Sequence, residues 1–174
     1  MEQFCRGDED AFEILYARHA PAVLAFLTRM VRDAALAEDL LQVTFLSVVR
    51  ARGRYQLGTT LRAWVFAIAG NAGRDALRRQ RARPEDLSRA VPVAAAAPPT
   101  ETVDPGTTRV VQEALMQLPL EQREAVVLHK MHELSFEEIA TVLGITVSAA
   151  KVRAHRGYQR LRVLLAPLDV GEMS

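Results

Sequence analysis

The sequence predicts an all-α protein built as two small helical domains, at 1–81 and 108–174, joined by a flexible linker at 82–107. Three observations lead there. Apolar residues through the first eighty positions recur at helical spacing, and no alternating pattern competes with them over a useful length. Residues 82–107 then turn to proline and alanine with little to bury, which is the composition of a tether. The stretch from Ser135 to Arg156 carries helix start, stop and restart signals in the order that makes a helix-turn-helix.

In the first domain, Asp10 and Glu13 form a possible capping box, and Phe12, Leu15, Tyr16, Val23, Leu24, Phe26 and Leu27 lie near helical spacing. Pro21 is expected at a helix start or a kink. A second helix is expected over about 34–52, with Leu36, Leu40, Leu41, Phe45 and Val48 or Val49 facing inward. Gly53 and Gly58 bracket a short loop. Thr59 or Thr60 then caps a third helix, with Leu61, Trp64, Val65, Ile68, Ala72 and Leu77 at core-like positions. After the linker, helices resume near 108, break at Leu118-Pro119, and continue as 121–132, 135–143 and 146–166. Ser135 and Glu138 read as a capping box, Gly144 as the left-handed residue that stops a helix, and Thr146 as the cap of the next.

Composition narrows the function. Nearly half of the 174 residues are apolar, enough for a core, and the net charge of +1 hides local clusters. The lone cysteine, Cys5, excludes an intramolecular disulfide and cysteine-based zinc sites. No apolar run reaches membrane-spanning length, and the polar, acidic start does not suit a signal peptide. These features point to a reducing, cytoplasmic setting. The histidines have neither metal nor catalytic-triad spacing, so no metal, no cofactor and no enzymatic activity are expected.

Candidate chemistry lies on three helices. From Lys151 to Arg162 every charged side chain is basic. On a helical wheel Val147, Ala150, Ala154, Gly157, Tyr158 and Leu161 fall on one side, with small residues that allow close packing. Ser148, Ala149, Val152, His155 and Arg156 fall opposite, flanked by Lys151 and Arg153. A face of hydroxyl, methyl and cationic groups suits base edges in the major groove, although a solvated basic face would have the same spacing. The helix after residue 60 interleaves Arg62, Arg74, Arg78, Arg79 and Arg81 with Trp64, Phe66 and Asn71, a mixture that suits unstacked bases and their phosphates. Trp64 fits a core position, while spacing leaves Phe66, Asn71 and Arg74 open. Glu38, Asp39 and Gln42 line one polar side of the second helix. Neighbouring carboxylates point apart on a helix, so this side fits a partner surface better than a catalytic pair.

Three segments, AEDLLQVTF, LRAWVFAIAGNAGRDALRR and LPLEQREAVVLHKMHELSFEEIATVLGITVSAAKVRAHRG, together resemble the bacterial sigma-70 superfamily in its small extracytoplasmic-function group. The resemblance covers nearly all of 10–166 apart from the linker. It implies a region 2 bundle at 1–81 and a region 4 helix-turn-helix at 108–174, serving promoter-specific transcription initiation. It further implies that Glu38, Asp39 and Gln42 dock on the β′ subunit of core RNA polymerase, with Val43, where the family usually has an acid, adding apolar packing. Tyr55, Arg62, Phe66, Asn71, Arg74, Asp75 and Arg78 would capture the opened −10 element. Ser148, Ala149, Lys151, Val152, Arg153, His155, Arg156 and Arg160 would meet the −35 duplex, with Arg153 and Arg160 mostly on phosphates. Gly70 departs from the bulky or basic residue common in the family, and Gly73 is a second glycine in the same helix. The expected partners are core polymerase through its β′ and β subunits, promoter DNA and an anti-sigma factor, with the free chain a monomer. A free-standing helix-turn-helix regulator, dimerising through 10–81 and reading a two-fold operator, is the alternative. An all-helical enzyme with a DNA-binding tail is a third.

Overall fold

The computed structural model describes residues 2–5, 7–55, 60–82 and 105–169; among them every regular element is helical. The first module contains α1 (Glu2–Cys5), α2 (Glu9–Met30), α3 (Ala34–Ala51), a 3₁₀ turn at Arg52–Arg54, and α4 (Leu61–Ala82). The second contains α5 (Pro105–Met116), α6 (Leu120–Val126), a π-helical continuation at Val127–Met131, α7 (Phe136–Leu143) and α8 (Val147–Asp169). The expected linker lies outside the described residues over 83–104, and helix occupies its two ends.

Local chemistry accounts for the helix starts. Asp8, rather than Asp10, caps α2: its carboxylate accepts from the Ala11 amide at 3.1 Å. Asp33 caps α3 through the Leu36 amide at 3.1 Å. Thr60 accepts weakly from the Ala63 amide at 3.3 Å, while Thr59 lies outside the described residues. Pro21 neither starts nor ends a helix; α2 runs through it. Pro21 and Ala17, whose carbonyl it leaves without an amide partner, are both exposed, so water reaches that carbonyl. The buried Val23, Phe26, Leu27 and Met30 that follow hold the helix together.

Helices α2, α3 and α4 pack pairwise around Leu15, Phe26, Leu27, Leu40, Phe45, Val48, Val65 and Ala69. The deepest face of α4 is Val65, Phe66, Ala69, Gly70, Gly73 and Ala76, while Leu61, Trp64, Ile68, Ala72 and Leu77 are half-buried. This differs from the expected inward set because α4 is covered twice. Helices α2 and α3 lie on one side, and α7 of the second module lies on another.

The two modules form one continuous core, not two bodies held apart by their tether. Phe66 meets Phe26 edge-on, with ring centroids 5.4 Å apart, and both rings pack on His132 from the second module. Arg123 is buried at the start of α6. Its guanidinium donates to the carbonyls of Leu115 and Met116 at the end of α5, to that of Leu118 in the turn that follows, and across the module boundary to the Met30 carbonyl at 2.7 Å. One cation thus closes the C-terminal ends of two helices, where unpaired carbonyls and the helix dipole favour positive charge. Gln112 adds a bond to the Thr28 carbonyl at 3.1 Å.

Candidate nucleic-acid interface

The helix-turn-helix follows from its punctuation. Ser135 Oγ accepts from the Glu138 amide at 3.2 Å, and Glu138 Oε2 accepts from the Ser135 amide at 3.0 Å, a complete capping box. Gly144 ends α7 at φ 63°, and the Ile145 amide returns to the Ala140 carbonyl at 3.0 Å. Thr146 then caps α8 through the Ala149 amide at 3.2 Å. Ala150, Ala154 and Gly157 are buried on the inner face of α8. A Cβ on Gly157 would fall 2.5 Å from Val126 Cγ2 and 3.2 Å from the Gln122 carbonyl oxygen, so α8 sits against α6 at a distance that only glycine permits.

Opposite that seam, Ser148, Lys151, Val152, His155, Arg156 and Arg160 are exposed, while Ala149 and Arg153 are half-buried. The Lys151 ammonium lies 5.9 Å from the Phe136 ring centroid, and that ring stacks on His129. His129 Nδ1 in turn is hydrogen-bonded to the Tyr158 hydroxyl at 2.7 Å. This cluster fixes the base of the basic face against α7.

The second expected set, around α4, is arranged differently. Tyr55 stands edge-on to Trp64 at 5.3 Å. Asn71, Asp75 and Arg78 are exposed, with Arg78 paired to Asp75 at 3.1 Å. Phe66 is a correction: it is 1% exposed and filled on both sides by Phe26 and His132, so it offers no stacking surface in this arrangement. Arg62 and Arg74 face the second module. Arg62 donates to the His132 carbonyl, and Arg74 Nη1 donates to Glu124 Oε1 at 2.5 Å. The other Arg74 nitrogen is held by Asn71 Oδ1 at 2.6 Å. Residues 56–59 of the loop before α4 lie outside the described residues.

On α3, Glu38, Asp39 and Gln42 form an exposed stripe that continues into Val43, 48% exposed, and Leu46, 57% exposed. Spacings of three and four residues keep these side chains on one surface. Two large apolar groups left in solvent beside two carboxylates make a mixed docking face.

Sequence reasoning missed the residues that join the modules: Arg123, Glu124, His132 and Thr60. Thr60 donates to Glu138 Oε1 at 2.7 Å, tying the start of α4 to the capping box. Glu124 is 1% exposed; burial raises its pKa against the opposing pull of Arg74. Burial, with Arg29 and Arg62 nearby, lowers the His132 pKa to about 3, so its ring is neutral, and Nε2 has no hydrogen-bond partner among the described residues. A glutamate next to an arginine in the short helix α6, which also carries Glu121 and Gln122, was the available signal, but it does not say which helix the charge meets. Among the described residues, no group of three or more potential ligands is placed to hold a metal, and no helix is long and apolar enough to cross a membrane.

An all-helical protein with a helix-turn-helix at one end and an arginine-rich helix in a second bundle is a nucleic-acid-binding protein of the transcription-factor class. Comparison with known proteins gives the family. Residues 15–83 match the model of sigma-70 region 2, and 108–161 that of sigma-70 region 4. The chain is 53% identical over 170 residues to the RNA polymerase sigma factor CarQ of Myxococcus xanthus, covering 98% of each. It is 36% identical over 166 residues to the ECF RNA polymerase sigma factor SigM of Mycobacterium tuberculosis, covering 95% of this chain and 82% of the relative. Its fold matches that of the sigma factor RpoE in complex with the anti-sigma factor NepR from Bartonella quintana, with a TM-score of 0.76 at 27% identity, over 90% of this chain and 97% of the other. It also matches CnrH in complex with the cytosolic domain of CnrY, with a TM-score of 0.72 at 28% identity, over 95% and 94% of the two chains. The chain belongs to the sigma-70 family, in its extracytoplasmic-function group, and is a sigma factor that directs promoter-specific transcription initiation.

Proposed function

We propose a residue-level division of labour for this sigma factor. The α3 stripe of Glu38, Asp39 and Gln42, extended by Val43 and Leu46, docks on the β′ subunit of core RNA polymerase, with further contact to β. The outer face of α8 lies in the major groove of the −35 element. Ser148, Ala149, Lys151, Val152, His155 and Arg156 approach base edges, and Arg153 and Arg160 approach phosphates. Tyr55, Arg62, Asn71, Arg74, Asp75 and Arg78 meet the separated −10 strand, where aromatic surface and guanidinium groups replace the stacking and counterions that the bases leave. Region 2 is the unit 1–81, region 4 the unit 108–174, and 82–107 their tether. The free chain is a cytoplasmic monomer that catalyses nothing itself and is restrained by an anti-sigma partner.

The observation that carries this reading is the outward cationic face of α8 seated on a fully capped α7, in a chain that also bears region 2. The free-standing dimeric regulator is disfavoured because α4 is covered on two sides within one chain. Run-off transcription with purified core polymerase on a randomised promoter library tests the assignment. Start sites sharing one −35 and one −10 motif are expected. Unchanged start-site choice, with the chain shown to be folded, overturns it.

A further inference from the structure

Two arginines of the strand-capturing helix α4 are already engaged, and both acceptors belong to the other module. Glu124 gives Arg74 a carboxylate oxygen, and His132 gives Arg62 a carbonyl oxygen. An anionic oxygen is what a phosphate would present to a guanidinium, and a carbonyl oxygen is what a base edge would present. Asn71 completes the site by accepting the second Arg74 nitrogen. Gly70, one turn before Arg74, supplies the space. A Cβ there would stand 3.3 Å from Arg74 Nη1 and 3.6 Å from Glu124 Oε1. The glycine that departs from the family pattern therefore lies under the one ion pair described between the modules.

We infer that region 4 folds back on region 2 as an intramolecular lock, with Glu124 standing in for a DNA phosphate at Arg74, so that the free chain is closed to single-stranded DNA. This rests on the proposed role of α4 in holding the −10 strand. The closed form cannot serve both promoter elements at once. Sites about 25 base pairs apart lie on the order of 80 Å apart along B-form DNA, whereas α4 and α7 are in direct contact. Releasing the pair does two things together: it exposes the Arg74 guanidinium, and it frees α8 to move away from α4.

The test uses the full-length chain in three forms: wild type, Glu124→Gln and Gly70→Ala. The first variant removes the charge without changing shape. The second crowds the pair while leaving both charges, and remains informative if the first fails to fold. Two quantities are read: the radius of gyration by small-angle X-ray scattering, and anisotropy of a fluorescent mixed-sequence single-stranded DNA pool. For wild type the expected radius is near the compact value of about 16 Å for this length, with weak DNA binding. Glu124→Gln is expected to be expanded and to bind at least tenfold more tightly, and Gly70→Ala to shift both readings in the same direction by a smaller factor. An expanded wild type, or folded variants that stay compact with unchanged DNA affinity, overturns the lock. Expansion without tighter binding overturns it as well. Promoter melting by Arg74→Ala holoenzyme then identifies the failed premise, since normal melting there would remove α4 from the −10 site itself.

Discussion

Replacing Gly157 with alanine tests whether the α6–α8 seam sets the position of α8, the helix proposed to read the groove. The new methyl would lie 2.5 Å from Val126 Cγ2, 3.2 Å from the Gln122 carbonyl oxygen and 3.3 Å from a Leu118 methyl. Carbon atoms in contact sit about 3.5–4.0 Å apart, so the first overlap exceeds about 1 Å. Val126 is buried and β-branched, with little rotamer freedom to retreat. The Gln122 oxygen is backbone and cannot rotate away. Overpacking of this kind costs about 1–3 kcal/mol, and the helix propensity gained by leaving glycine returns up to about 1 kcal/mol. A contact at 2.5 Å places the cost in the upper part of that range, so the expected net loss is about 1–2 kcal/mol, which for a chain of this size lowers Tm by roughly 3–6 °C. Thermal denaturation followed by circular dichroism reads it. Val126→Ala in the same chain should recover part of the loss by clearing the overlap, with a coupling on the order of 1 kcal/mol. A Gly157→Ala protein that melts at or above wild type, or a double variant whose losses simply add, would refute the seam as the determinant of the α8 position.

Gly73→Ala should do the opposite, because its Cβ would meet Leu27 Cδ2 at an ordinary 3.7 Å. A gain of up to about 1 kcal/mol is expected in the same melting assay. His132 is held neutral with a pKa of about 3. The unfolded or opened chain therefore binds the extra proton, and stability present above pH ~6.5 is lost as pH falls toward 3. Between pH 7 and pH 5 the loss from this ring is about 2 kcal/mol; Glu124, raised by burial, titrates in the opposite sense. The wild-type slope compared with His132→Gln isolates the ring, and identical slopes would exclude it. Lys151→Ala or Arg156→Ala should weaken duplex binding by about 1–3 kcal/mol and relax preference at one base position, whereas uniform weakening on all sequences would place that residue on a phosphate. Asp39→Ala with Gln42→Ala should lower affinity in competition for core polymerase while leaving the melting temperature unchanged, and unaltered affinity would remove the α3 stripe from the docking surface.

The sequence was most legible where local chemistry decides structure. Ser135, Glu138, Gly144 and Thr146 act within four residues of themselves, and each takes the role that its residue type implies. The small residues of α8 likewise announced a close seam, because a helical wheel needs no knowledge of the partner. The start of α2 was misplaced by two residues because Asp8 and Asp10 are both good caps, and only packing selects between them. Phe66 and Arg74 show the stronger limit. Periodicity marks α4 as amphipathic, but α4 has two buried faces, and the second depends on α7, more than fifty residues further along the chain. Nothing local in Glu124 or His132 says that they reach region 2. The candidate DNA faces were therefore readable as lists of side chains, whereas the closure of one of them was not.

The closed arrangement also constrains how core polymerase could open it. Separation would leave Arg123 with three of its four carbonyls, losing only Met30 at a helix end where water can replace it. Arg62 and Arg74 would exchange their present acceptors for phosphates. Contacts without a replacement are the packing of Phe66 on His132, where full exposure of such a ring costs about 1.5–3 kcal/mol, and the packing of α7 on α4. The aromatic contact and the ion pair therefore both hold the closed form, and loss of the ion pair also changes what the opened surface binds. The α3 stripe is already exposed in the closed form. A partner that grips α3 alone binds closed and open chains equally, and equal affinity shifts no equilibrium however tight the complex. Opening must therefore draw on contacts that only the separated modules make. On the proposed assignment, docking through α3 recruits the sigma factor, and engagement of region 4, or of the DNA itself, releases α4.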